Sequence, residues 1–167
     1  GETSGDLDYE STSSLALNSG TIKDAALNAA TLTLANPGAA NSLRANKDLI
    51  VDTTVPTVTD VTSTTSNGSY KQGETIAITV VFSEVVNVVE SGGTPTLTLN
   101  NTSGTNPAVD YSSGTGSNTL TFNYTIGSGE TSSDLDYAGT SSLALNSGTI
   151  KDAALNAATL TLASPGA

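Results

Sequence analysis

The chain has 167 residues with no Cys, Met, Trp or His, and sixteen acids against five bases give a net charge of −11. Without Cys and His there is no disulfide framework, no thiolate or imidazole metal ligation, and no Ser-His-Asp or Cys-His catalysis. The acidic balance excludes the basic footprint of a nucleic-acid binder, and no apolar run approaches the ~18 residues of a membrane span.

The chain opens on a segment that returns near its end. Residues 1–39 reappear as residues 129–167, at an offset of 128, with differences only at positions 5, 10, 11 and 36 of the first copy. A period of that size is too long for solenoid repeats of ~20–50 residues and suits one globular domain per repeat. Near-identity between copies argues for structure or multivalent adhesion rather than one unique active site.

Apolar residues then alternate with Thr along the chain, the period-2 signal of half-buried strands. After a short candidate at Leu49–Val51, Ile50-Val51-Asp52-Thr53-Thr54-Val55-Pro56-Thr57 reads as one strand passing into the next through a stiff joint, because proline fixes φ and extends the residue before it. A domain boundary there makes residues 1–52 the C-terminal strands of one domain and residues 53–167 the next domain without its last strand. Thr57–Val61 is the following candidate. In Glu74–Glu84, Ile76, Ile78, Val80 and Phe82 share one face, and Glu84 is expected in the loop beyond. Leu97 and Leu99 point inward with Thr96 and Thr98 outward; Ala108–Tyr111 follows; Leu120, Phe122, Tyr124 and Ile126 repeat the inward pattern. Ser142–Leu145 and Thr159–Leu162 complete the set, with Asp152–Leu160 read as a turn leading into the last strand. Gly/Ser turns such as Ser66-Asn67-Gly68, Ser91-Gly92-Gly93 and Ser103-Gly104 separate these runs. Seven or eight short strands in one period, on the order of a sandwich domain's content, predict an all-β, antiparallel β-sandwich in tandem repeats of 128 residues.

The segments VDTTVPTVTDVTS, ITVVFSEVV, GTPTLTLNN, SGTGSNTLTFNYTI and GTIKDAALNAATLTL together resemble the bacterial Ig-like repeats of giant surface adhesins. They also resemble the related repeat of a cyanobacterial swimming-associated cell-surface protein. The resemblance spans essentially the whole period. It implies Ig-like Greek-key sandwiches strung end to end on secreted or cell-surface bacterial proteins, often with Ca²⁺ stiffening the joints. Two departures stand out: Val55 precedes Pro56 where Ala is common, and Leu155 stands where related versions carry Gly.

An up-down tracing of the sandwich brings Glu84 and Asp152 to the pole where the linker's Asp52 enters. Three carboxylates there suit a Ca²⁺ ion, which takes six to eight oxygen ligands. Asp24, the repeat mate of Asp152, would serve the preceding joint. The alternative for Asp52 and Asp152 is turn capping. Asp134-Leu135-Asp136-Tyr137 and its mate Asp6-Leu7-Asp8-Tyr9 read as solvated edges over buried Leu and Tyr. Sequons at Asn67, Asn101 and Asn123 match by composition, and no cluster of aromatic residues offers a sugar platform.

The sequence therefore predicts a non-enzymatic extracellular spacer. Its partners are neighbouring repeats, with weak glycan contact by Thr-rich faces and neither nucleic acid nor membrane insertion. The other reading is a self-assembling filament or sheath subunit, with strands supplied by other copies.

Overall fold

In a computed structural model, residues 5–101 and 106–166 are described, and the chain divides into two compact units, Gly1–Thr54 and Val55–Ala167. The sequon residues Thr102 and Ser103 and the turn at Ser103-Gly104 lie outside the described residues. Among the described residues, no helix is long and apolar enough to cross a membrane.

The second unit is antiparallel β, consistent with a sandwich. Its strands are β1 (Val58–Ser63), β2 (Thr75–Val89), β3 (Thr96–Asn100), β4 (Ala108–Ser113), β5 (Ser117–Thr125), β6 (Asp136–Tyr137), β7 (Leu143–Ala144) and β8 (Thr149–Lys151). They hydrogen-bond in the order β1-β2-β5-β4-β3-β6, with β7 on β3 and β8 on β2.

β2 organises the unit. Its alternation buries Ile78, Val80 and Phe82 against Leu120, Phe122 and Tyr124 of β5, and Phe122 meets Tyr111 of β4 edge-on at 6.2 Å. Pairing with β5 runs from Thr75↔Thr125 to Val81↔Thr119 and then jumps to Val86↔Ser117. Past this irregularity β2 takes a new partner, with Asn87–Val89 pairing with β8. A bulged strand bends and changes its neighbours in this way.

Residues 129–166 close the sheet. β6 and β7 lie along β3 as one strand interrupted by Ala138–Ser142: Tyr137 faces Leu99, Leu143 faces Leu97, and Thr98 bonds to the backbone on both sides of the excursion. A two-residue turn at Asn146 and Ser147, both with positive φ, carries the chain from β7 to β8, closed by Gly148 N donating to Leu145 O at 2.8 Å. Two positive-φ residues match the right-handed twist of a hairpin. The backbone at Gly92-Gly93 approaches this turn so closely that a Cβ on Gly93 would stand 1.8 Å from Asn146 O. Tyr137, Leu143, Ile150 and Leu162 thereby join the core.

Several expectations change. Glu84 lies within β2 rather than in a loop: Phe82, Glu84, Val86 and Val88 continue the inward-facing alternation. Thr96 is buried, not outward, because Asn146 Nδ2 reaches over to donate to its Oγ1 at 2.9 Å. Thr159–Leu162 forms no strand; a single parallel bridge joins Thr159 to Thr57, while Leu162 is buried. Leu49–Val51 is not a strand either, Leu49 instead bonding the backbone and side chain of the Asp6-Leu7 segment.

The first unit holds the other copy of the repeat followed by one helical turn, α1 (Leu43–Asn46). Ser42, fully buried, caps it by accepting from Ala45 N. Asp6 accepts from Leu49 N and lies 3.8 Å from Arg44. Among its described residues the repeat copy forms only one isolated bridge, Lys23 to Ala29, which matches Lys151 to Ala157 in the second unit.

Candidate functional site

The most concentrated polar chemistry lies around Asp152. β8 ends at Lys151, and Asp152, 3 % exposed, begins a tight turn. Its Oδ1 accepts from Asn156 N at 2.8 Å and its Oδ2 from Asn156 Nδ2 at 2.7 Å, while Asp152 N donates to Asn156 O. Asp thus closes the turn through its own side chain, as the capping reading expects. Leu155, in the left-handed region at φ 71°, completes it. Glu84, half-buried on β2, brings a carboxylate oxygen to within 4.8 Å of one from Asp152. A carboxylate offers about four lone-pair directions, so one that accepts two hydrogen bonds keeps capacity for a cation. Oxygen-only donors of this kind suit a hard divalent ion rather than a soft one.

Asp52 belongs to the first unit, three residues before Val55 in the chain. Its Oδ1 accepts from Thr54 N at 2.9 Å, the local turn that an Asp before two threonines favours. Asp24 repeats the Asp152 arrangement, accepting from Asn28 N at 2.8 Å and Asn28 Nδ2 at 2.9 Å, with Leu27 at φ 70°. The Asn28 side chain, then its backbone N–H, holds the Asp24 carboxyl below its ordinary value. Asp24 is exposed, and no second acid joins it in a cluster of three or more among the described residues.

The Asp-Leu-Asp-Tyr segments serve the fold. Tyr137 is buried as expected, but Leu135 is only half-buried and its mate Leu7 is exposed, contrary to the expectation. Asp136 accepts from Tyr137 N and Gly166 N, and the Tyr137 hydroxyl donates to Ala163 O at 3.0 Å. The other copy reproduces each contact: Asp8 accepts from Tyr9 N and Gly38 N, and Tyr9 donates to Ala35 O at 2.8 Å. Burial would raise the Asp8 carboxyl, yet the hydrogen bonds from Gly38 and Tyr9 outweigh it and hold it below its ordinary value.

One pair escaped sequence reasoning. Tyr124 on β5 donates to Glu130 Oε2 at 2.7 Å, and the same oxygen accepts from Gly127 N at 2.6 Å. Burial, then the bond to and charge of Glu130, push the Tyr124 phenol up to about 12. The only signal in the sequence was an acid just after the Gly127-Ser128-Gly129 turn. This pair borders an open groove of about 600 Å³ lined also by Tyr70, Asp134, Asp136 and Tyr137.

Compared with known proteins, the chain matches no family model, no curated protein and no solved structure.

Proposed function

We propose that the chain is a non-enzymatic segment of a tandem array of Ig-like Greek-key domains, acting as a stiff spacer in a large bacterial extracellular or cell-surface protein. The observation that carries this reading is the repetition of one closing segment with the same turns, hydrogen bonds and positive-φ positions at both ends of the chain. What recurs is a structural device: Asp8 and Asp136, Asp24 and Asp152, and Tyr9 and Tyr137 each bond its own backbone. Residues 1–52 are then the end of one repeat and residues 53–167 most of the next. The Thr-rich outer faces contact glycans weakly, with strength gained from many copies.

The joint between repeats would be stiffened by Ca²⁺. Glu84 and Asp152 would supply carboxylates to the ion. Asp24 would take the same part for the preceding joint. Bound calcium would add stability through its affinity for the folded state alone.

Stretching single molecules of the full chain, with Ca²⁺ and with chelator, tests the reading. The expected record is one cooperative rupture of the second unit, at higher force with Ca²⁺, and Asp152→Asn abolishes the difference. A rupture force indifferent to Ca²⁺ removes the metal from the proposal; gradual extension without any rupture removes the spacer.

A further inference from the structure

Asn67 and Gly68 form the one Asn-Gly step in the chain. They lie in the connection between β1 and β2, and both are exposed. The connection is fastened on either side of them. Ala77 N donates to Thr65 Oγ1 at 2.9 Å, the Tyr70 hydroxyl donates to Ser66 O, and Lys71 N donates to Glu74 Oε2 at 2.8 Å. Among the described residues neither Asn67 nor Gly68 makes a hydrogen bond, so the side-chain amide and the backbone N–H that follows it both face solvent.

Other asparagines are held or lack the neighbour. The amides of Asn28, Asn46, Asn146 and Asn156 each donate to a protein oxygen. Asn36 and Asn106 precede proline, which has no N–H. Glycine after Asn67 matters for two reasons. It has no Cβ to shield its own nitrogen, and its backbone turns into conformations closed to other residues.

We propose that Asn67 is a self-modifying site, at which the chain converts its own side-chain amide to a carboxylate. The Gly68 amide nitrogen gives up its proton to hydroxide and attacks Asn67 Cγ, closing a succinimide ring. The Cγ–Nδ2 bond breaks, and the nitrogen takes a proton from water and leaves as ammonia. Water then opens the ring. Attack at Cγ leaves aspartate at position 67; attack at the backbone carbonyl carbon leaves isoaspartate, with the main chain running through the former side chain. In sum one amide and one water become one carboxylate and one ammonium ion, and no oxidant or reductant is consumed. Both reacting groups belong to adjacent residues, so the step needs no partner and does not require the spacer reading. Asn67 lines the same groove as Glu130, Asp134 and Asp136, so the new carboxylate adds to charge already gathered on that face.

The positions of the lysines make the test direct. Trypsin, cutting after Lys47 and Lys71, releases residues 48–71, in which Asn67 carries the only side-chain amide. The full chain is kept folded at mildly alkaline pH for several days, digested briefly and weighed. Residues 48–71 should gain the mass of an amide-to-acid exchange, at a rate that rises in proportion to hydroxide. Most of the product should resist endoproteinase Asp-N at position 67, since that enzyme cuts before aspartate and not before isoaspartate. Gly68→Ala should slow the gain at least several-fold and keep the fold, because its Cβ would meet only the Tyr70 ring, at 3.7 Å, an ordinary contact. Asn67→Gln keeps an amide but must close a larger ring, so it should be slow as well, and it carries the test if Gly68→Ala does not fold. A fragment that gains no such mass overturns the proposal. So does a gain indifferent to either substitution in a folded chain, or a product that is all ordinary aspartate, since both mean that water attacks the side chain directly.

Discussion

Leu143 lies directly opposite Leu97 in the antiparallel register of β7 and β3, and both are almost wholly buried. Its counterpart Leu15 has the same sequence neighbours and is 42 % exposed. Environment rather than sequence therefore sets what each leucine contributes. Leu143→Ala should lower the stability of the second unit by about 2–5 kcal/mol, the range for truncating a buried leucine. Leu15→Ala should change unfolding by no more than about 0.5 kcal/mol. Urea unfolding of the two variants compares them; equal losses would mean that the two faces are covered alike.

Gly148 and Gly20 make the same comparison through the backbone. A Cβ on Gly148 would stand 2.3 Å from Gly93 O and 3.1 Å from Val89 O, whereas one on Gly20 meets only Leu17 O at 3.0 Å. Gly148→Ala must push β7–β8 away from the Gly92-Gly93 turn and should cost about 3 kcal/mol, the upper part of the range for overpacking. Gly20→Ala retains only the local contact and should cost clearly less. Thermal unfolding separates them, and indistinguishable melting temperatures would refute the close approach.

How much of this was legible beforehand depended on what each residue had to meet. Ile76, Ile78, Val80 and Phe82 announced β2 because alternation is a local signal. The rest of β2 stayed hidden because Glu84 occupies an inward position while Val85 and Val89, about half exposed, point outward. Thr96 was misplaced for a related reason: its burial comes from Asn146, fifty residues away, whose amide satisfies the hydroxyl. Leu49–Val51 has a strand's composition, yet Leu49 bonds to the irregular Asp6-Leu7 segment and no strand forms there. Glu84 and Asp152 were legible as a pair only by tracing strands to a common end. The pair does meet, although Glu84 arrives from within β2 rather than from a loop.

The Tyr124–Glu130 bond predicts an alkaline limit. The folded phenol titrates at about 12 instead of 10.0, so the folded state holds its proton where the unfolded chain has lost it. A raised pKa contributes stability that is complete below about pH 10 and lost as pH rises toward 12. Tyr9 and Tyr137 are raised too, but only Tyr124 reaches about 12, so among the five tyrosines it should ionise last in the tyrosinate absorbance titration, with unfolding over the same window. In Tyr124→Phe the step near pH 12 should vanish and stability should lose its fall toward that pH. A late step that survives in this variant would assign it to another tyrosine.

Leu155 gives the remaining prediction, and it runs toward greater stability. Its φ of 71° is a conformation in which a side chain costs ~1–2 kcal/mol through the clash of Cβ with the carbonyl. At 72 % exposure its side chain recovers little of that by burial. The turn needs the conformation nonetheless, because Asp152 must reach both Asn156 N and its side-chain amide. Glycine adopts this geometry without the clash but loses ~0.5–1 kcal/mol more conformational freedom on folding. The difference leaves Leu155→Gly more stable by about 0.5–1 kcal/mol. The urea midpoint should rise with an unchanged slope, since scarcely any buried surface is altered. Leu27→Gly should relieve the same strain in the first unit, where φ is 70°. A lower midpoint for Leu155→Gly would show that this leucine is held by contacts its exposure does not reveal.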